Sequence, residues 1–115
     1  MHVAELDAIL RTLTPHQLKL VQALYDSDGQ WLTRSQMARA IGKKRLTPYD
    51  IDCLKMLTEH AIIQTSRRPT TAPGSEFAYI YHMPDAMAEL IAYWDELREQ
   101  ELTERRRRPV NLVNE

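Results

Sequence analysis

Apolar residues recur at helical spacing in five stretches of the chain. Leu6, Ile9, Leu10 and Leu13 form the first stripe. Leu18, Val21, Leu24 and Tyr25 form the second, and Met37, Ala40 and Ile41 a short third. Ile51, Leu54, Leu57 and Ala61 make the fourth, and Met87, Leu90, Ile91, Trp94 and Leu97 the fifth. Spacings of three and four place each set on one face of a helix. Two segments break this rhythm, Ile62 to Thr65 and Phe77 to Tyr81, and both read as strands. The piece between them holds Pro69, Pro73 and Gly74, which marks it as a hairpin loop. Trp31 and Leu32 leave room for only a small strand.

The helix starts carry their own chemistry. Thr14 with Gln17, Thr33 with Gln36, and Thr47 with Asp50 each place a hydroxyl at N-cap and an acceptor three residues on. That is the capping-box spacing, in which two orphan N–H groups are satisfied reciprocally. Pro15 and Pro48 then fall at N1, where no N–H is needed and φ is already helical. Gly29 and Gly42 end the second and third helices. Pro84 opens a last helix that runs to about Arg107.

Composition changes this picture little. The chain has 115 residues, 43% of them hydrophobic, enough for one folded core. The net charge of −1 selects neither nucleic acid nor a membrane surface. Its distribution is uneven, with base in excess over 43–83 and acid in excess beyond. One Cys excludes an intrachain disulfide, and no apolar run approaches the ~20 residues of a membrane span. A cytoplasmic protein that does not enter a membrane is expected. The four His are scattered without metal-ligand spacing, and no phosphate loop or dinucleotide fingerprint is present. Cys53 sits in mid-helix with nothing to activate it. No catalytic residue, metal or cofactor is expected, and no motif identifies a small-molecule effector.

The order helix, short strand, helix, turn, helix, hairpin, helix resembles the winged-helix DNA-binding domain. Ser35 to Gly42 is similar to the first helix of its helix-turn-helix, and Thr47 to His60 to its recognition helix. Ala61 to Ile63 resembles the Gly-Leu-Ile step into the wing. The similarity spans residues 14–83, between an N-terminal helix (1–13) and a long C-terminal helix (84–108) followed by a tail (109–115). With that long helix, the layout is similar to small MarR-like and PadR-like bacterial transcription regulators, which are typically dimers. The turn from Gly42 to Thr47 is longer than the family usual.

The resemblance implies duplex DNA and a second copy of the chain as partners. The outward positions near the start of the recognition helix, Tyr49, Asp52 and Lys55, become candidates to read base edges. Lys43, Lys44, Arg45 and Thr47 before that helix, and Arg67 and Arg68 at the wing, become candidates to hold phosphates. Asp50 belongs to the cap. Leu6, Ile9, Leu10, Leu90, Ile91, Trp94 and Leu97 are the candidate dimer residues. A winged helix that docks proteins and does not bind DNA is the alternative reading, favoured by the near-neutral charge.

Overall fold

The computed structural model describes residues 1–71 and 73–107, with side chains to residue 105. The tail 109–115 lies outside the described residues, as does Arg108. Among them are helices α1 (Val3–Thr12), α2 (Pro15–Asp26), α3 (Arg34–Ala40), α4 (Pro48–Glu59) and α5 (Asp85–Arg107). The strands are β1 (Leu32–Thr33), β2 (Gln64–Pro69) and β3 (Phe77–His82).

All three Thr capping boxes form, at the heads of α2, α3 and α4. A fourth heads α1, where His2 Nδ1 accepts from the Ala4 N–H at 3.1 Å and Glu5 returns to the His2 N–H. The helix ends follow an equally local rule. At the end of α3, Lys43 N–H reaches Ala38 O at 2.8 Å and Gly42 N–H reaches Arg39 O at 3.0 Å. At the end of α4, Ile62 N–H reaches Leu57 O and Ala61 N–H reaches Thr58 O. Both are Schellman closures, which need a left-handed residue after the cap. Gly42 supplies it at φ +78°, and Ala61 supplies it at φ +61° despite its Cβ.

The core gathers Leu6 and Leu10 of α1, Leu20, Val21 and Leu24 of α2, and Met37 of α3. Leu54 and Leu57 of α4, Ile62, Ile63 and Tyr81 complete most of it. Each such side chain contributes roughly 1.5–3 kcal/mol by leaving water. Two helices are rotated from their expected faces. On α2, Leu20 is buried and Leu18 stays 39% exposed. On α4, Asp50, Cys53, Leu54 and Leu57 point inward, while Ile51 is half-buried. A polar residue inside the core-facing stripe hid this rotation from the hydrophobic pattern.

The strands pair antiparallel in the order β1-β3-β2. β2 starts and ends later than expected, so Arg67, Arg68 and Pro69 are strand residues and not loop. Pro69 sits in register with Phe77, and Thr70 N–H continues the pairing to Glu76 O at 3.2 Å. A Pro is tolerated there because β2 is an edge strand, where only one side of the backbone is paired.

One polar contact fixes the head of α4. Asp50 is fully buried, and its Oδ2 accepts from Lys43 Nζ at 2.8 Å, Thr47 N–H at 2.8 Å and Thr47 Oγ1–H at 2.9 Å. His16 Nε2, from α2, lies 2.5 Å from Oδ1. Burial alone would raise this carboxyl's pKa. The Lys43, Thr47 and His16 hydrogen bonds outweigh it and hold the group well below the usual carboxylate range.

Two expectations follow for stability. Ala61→Gly removes the Cβ from the left-handed region and should stabilise the fold by about 1 kcal/mol. Thermal unfolding would register that as a midpoint about 4–8 °C higher. Asp50 acts in the other direction. Its depressed pKa supplies stability that is complete above the unfolded Asp value of about 3.9 and is lost as pH falls below it. Asp50→Ala should cost toward the low end of ~3–5 kcal/mol at pH 7, because Lys43 retains some access to water. Urea unfolding of wild type and Asp50→Asn at pH 7 and pH 3 checks the sign: the difference between them should shrink in acid.

Candidate nucleic-acid interface

Because Asp50, Cys53, Leu54 and Leu57 face the core, the opposite side of α4 is open. Tyr49, Asp52 and Lys55 occupy it at three-residue spacing, and all three are exposed, Tyr49 by 54%. The Tyr49 ring stacks on His16, with centroids 5.8 Å apart and planes 25° from parallel. Among the described residues, the side chains of Asp52 and Lys55 have no hydrogen-bond or ion-pair partner. The base-reading candidates thus share one accessible face.

The phosphate candidates divide. The ammonium of Lys43 is engaged by Asp50, and the Thr47 hydroxyl donates to that carboxylate while accepting from the Asp50 N–H at 3.2 Å. Both are therefore committed to holding the helix. Lys44 and Arg45 are exposed and, among the described residues, unpaired. The long turn between α3 and α4 gives one cation to the core and presents the next two outward. Its Leu46 packs against the core and anchors it.

Arg67 and Arg68 also part company. Residues opposite one another in a pleated pair share a face. Arg67 pairs with Tyr79, Thr65 with Tyr81, and Arg68 with Ala78. Tyr81 is buried and Thr65 Oγ1 lies 2.7 Å from Thr58 Oγ1 of α4, so the Arg67 face is the one toward α4. Arg68 projects from the other face. The guanidinium of Arg67 lies 4.6 Å over the Phe77 ring, and Phe77 meets Tyr79 edge-on at 5.5 Å.

A residue absent from the expected set joins this band. Arg34, the first residue of α3, lies 4.4 Å over the Tyr79 ring, and its Nε donates to Tyr81 Oη at 3.0 Å. A cation is unfavourable at a helix N-terminus, which was the one sequence signal for its tertiary engagement. Arg34, Ile51, Lys55, Tyr79 and Tyr81 line a groove of about 370 Å³ between α4 and the sheet. Its walls are apolar and aromatic, and its rim carries Arg34 and Lys55 against Glu59.

At the other end of the molecule, α5 packs along α1. Leu6 is fully buried and Leu10 is 5% exposed, so neither offers surface to a second chain. Both had been expected at a dimer interface, but α5 packs along α1 within the same chain and they belong to its core. Ile9, Leu90, Ile91 and Trp94 are half-buried against the same core. Trp94 Nε1–H donates to Asp7 Oδ1 at 2.9 Å, and the Arg98 guanidinium lies over its ring. Hydrogen bonds from Trp94 and Arg11 hold the Asp7 carboxyl below its ordinary range. From Asp95 to Arg105 every residue of α5 is exposed. Tyr93 at 50%, Leu97 at 37% and Leu102 at 43% are the apolar groups left in water.

Among the described residues, no cluster of three or more His, Cys, Asp or Glu is arranged to hold a metal. No described helix is long and apolar enough to cross a membrane. No protein-family model and no curated protein sequence matches the chain. Two solved structures are similar in fold. One is described as a possible transcriptional regulator from Methanosarcina mazei Go1, at 20% identity and TM-score 0.51, covering 80% of this chain and 78% of that one. The other is a mutant MepR from a multidrug-resistant S. aureus clinical isolate, at 19% identity and TM-score 0.53, covering 81% of this chain and 65% of that one. Among the described residues, the five helices and small antiparallel sheet form a winged helix-turn-helix fold, mainly α with a hairpin wing.

Proposed function

We propose that the protein is a transcription regulator that binds specific duplex DNA as a homodimer. The observation that carries this reading is the open face of α4, flanked by cations that, among the described residues, no carboxylate engages. Tyr49, Asp52 and Lys55 lie along it, Lys44 and Arg45 stand before its first turn, and Arg34 and Arg67 stand beside it toward the wing. In this arrangement α4 enters the major groove. Asp52 accepts from a cytosine amino group or rejects bases that cannot donate, and Lys55 donates to a guanine edge. The turn and β2 hold backbone phosphates, which set register without reading sequence. The description of the Methanosarcina mazei neighbour as a possible transcriptional regulator supports the same class of function.

The dimer forms along α5. Its exposed half extends beyond what covering α1 requires, and Tyr93 and Leu97 lie one turn apart on it with their surfaces in water. A two-fold pairing through that face presents two α4 helices to half-sites about one DNA turn apart.

Titration of duplex binding against salt tests the DNA reading. Each phosphate neutralised contributes about −0.9 to the slope of log K against log salt. Replacing Lys44, Arg45 and Arg67 together with Ala should flatten the slope by up to about three such units and weaken selected and random duplex alike. Single Ala changes at Tyr49, Asp52 and Lys55 should instead alter preference among selected sequences, by about 1–3 kcal/mol per lost base contact. No duplex affinity in low salt would turn the reading to protein docking.

Sedimentation tests the dimer. Tyr93→Glu with Leu97→Glu places like charges across the two-fold and should give a folded monomer at micromolar concentration, where wild type sediments as a pair. Trp94 is left in place because it ties α5 to Asp7.

A further inference from the structure

The imidazole of His16 occupies an unusual position between a buried ion pair and the open face of α4. Its Nε2 is fixed on Asp50 Oδ1, its side chain is 30% exposed, and its ring lies under Tyr49. Asp50 already has a cation, since Lys43 Nζ lies 2.8 Å from its other oxygen. A neutral imidazole therefore suffices to complete the carboxylate's hydrogen bonds, with the hydrogen on Nε2 and a lone pair on Nδ1. Protonation leaves the Asp50 contact intact. It converts Nδ1 from acceptor to donor and adds an uncompensated positive charge next to Tyr49.

We propose that His16 is a proton-dependent DNA contact, whose imidazolium form donates from Nδ1 to a backbone phosphate beside the first turn of α4. The inference rests on the DNA-binding reading above. Phosphate oxygens meet a lone pair at high pH and an N–H with a full charge at low pH, so duplex affinity rises as pH falls. Histidine is the side chain that makes this change between pH 5 and 8. The groups facing the ring set the sign. From α4 they are the Asp50 carboxylate and the Tyr49 ring, and from the turn, through that carboxylate, the Lys43 ammonium. From its own helix, the adjacent Gln17 Nε2–H turns to Cys53 Sγ at 3.7 Å and Gln17 Oε1 to the Thr14 N–H. Among the described residues, Asp50 is the one anion in contact, and Lys43 balances it.

Binding and protonation are linked reciprocally: if protons tighten DNA binding, DNA binding takes up protons. Uptake of one proton per chain corresponds at most to about a tenfold affinity change per pH unit for each chain, or about a hundredfold for the dimer. Duplex binding by wild type and His16→Gln would be measured from pH 8 to pH 5.5 at constant salt. Calorimetry in two buffers of different ionisation enthalpy would read proton uptake. Gln retains an N–H for Asp50 and cannot titrate. Wild type should bind about three- to tenfold more tightly at pH 6 than at pH 8 and take up protons on binding. The variant should have a flatter profile and take up correspondingly fewer protons. A second measurement needs no substitution: by NMR, the His16 ring of wild type should hold its proton to a higher pH when duplex is bound. A pH-independent wild type, a variant with the wild-type profile, or a ring whose titration DNA leaves unmoved overturns the proposal alone. Failure to bind duplex at any pH in low salt overturns the DNA reading with it.

Discussion

The Asp50 carboxylate has no access to water and stays ionised, so protein groups must supply everything water would have given it. Three of its bonds come from within seven residues, through Thr47 and Lys43, and one comes from α2 through His16. The same few atoms therefore cap α4, set the path of the turn before it, and dock its first turn on a neighbouring helix. At the other end of α4 the Schellman closure at Ala61 sends the chain into Ile62 and Ile63, both buried, and on to β2. The Thr58 to Thr65 hydroxyl contact then ties helix and wing together. α4 is held at its head by charge and at its tail by apolar burial.

This clamping gives the open face its character. The inward turn of Asp50 and Cys53 rotates Ile51 toward the wing and leaves Tyr49, Asp52 and Lys55 outward. In the groove beside them the Arg34 guanidinium lies over the Tyr79 ring and donates to Tyr81 Oη, so this cation is held by aromatic side chains and not by a carboxylate. Stacked guanidiniums keep their N–H edges available. The near-neutral net charge of the chain conceals a local excess, because much of the acid lies on α5, away from α4.

Local chemistry was legible in the sequence and long-range chemistry was not. Thr14, Thr33 and Thr47 announced helix starts because a capping box is complete within four residues. His2 escaped notice because histidine is not a usual cap. Leu18 was favoured over Leu20 because both lie on apolar-rich turns and the choice depends on what α2 packs against. The hairpin was found, but its first strand was placed too early, since Pro69 is forbidden only where both edges of a strand are paired. The sequence pair Arg67 and Arg68 could not reveal that its members point to opposite faces until the register with Tyr79 and Ala78 was known. Leu6 and Leu10 were apolar enough for an interface, and only the packing of α5 shows that their own chain buries them. The Lys43 and His16 contacts to Asp50 were the least visible, one of them spanning 34 residues.

Connections between helices are ordinarily where chains gain and lose residues with little consequence. The connection before α4 does not have that freedom. Gly42 must take the left-handed step, Lys43 must turn back to Asp50, and Leu46 must reach the core before Thr47 caps the helix. Deleting one residue would carry the ammonium away from a carboxylate that cannot find another cation, and inserting one would place a neutral backbone where the charge belongs. Related chains that keep an acid at the position of Asp50 are thus expected to keep the length of this turn, and those that lose the acid to lose the lysine with it. Correlated change at these two positions, in a surface segment that would otherwise drift, is the evolutionary signature of a charge hidden inside the fold.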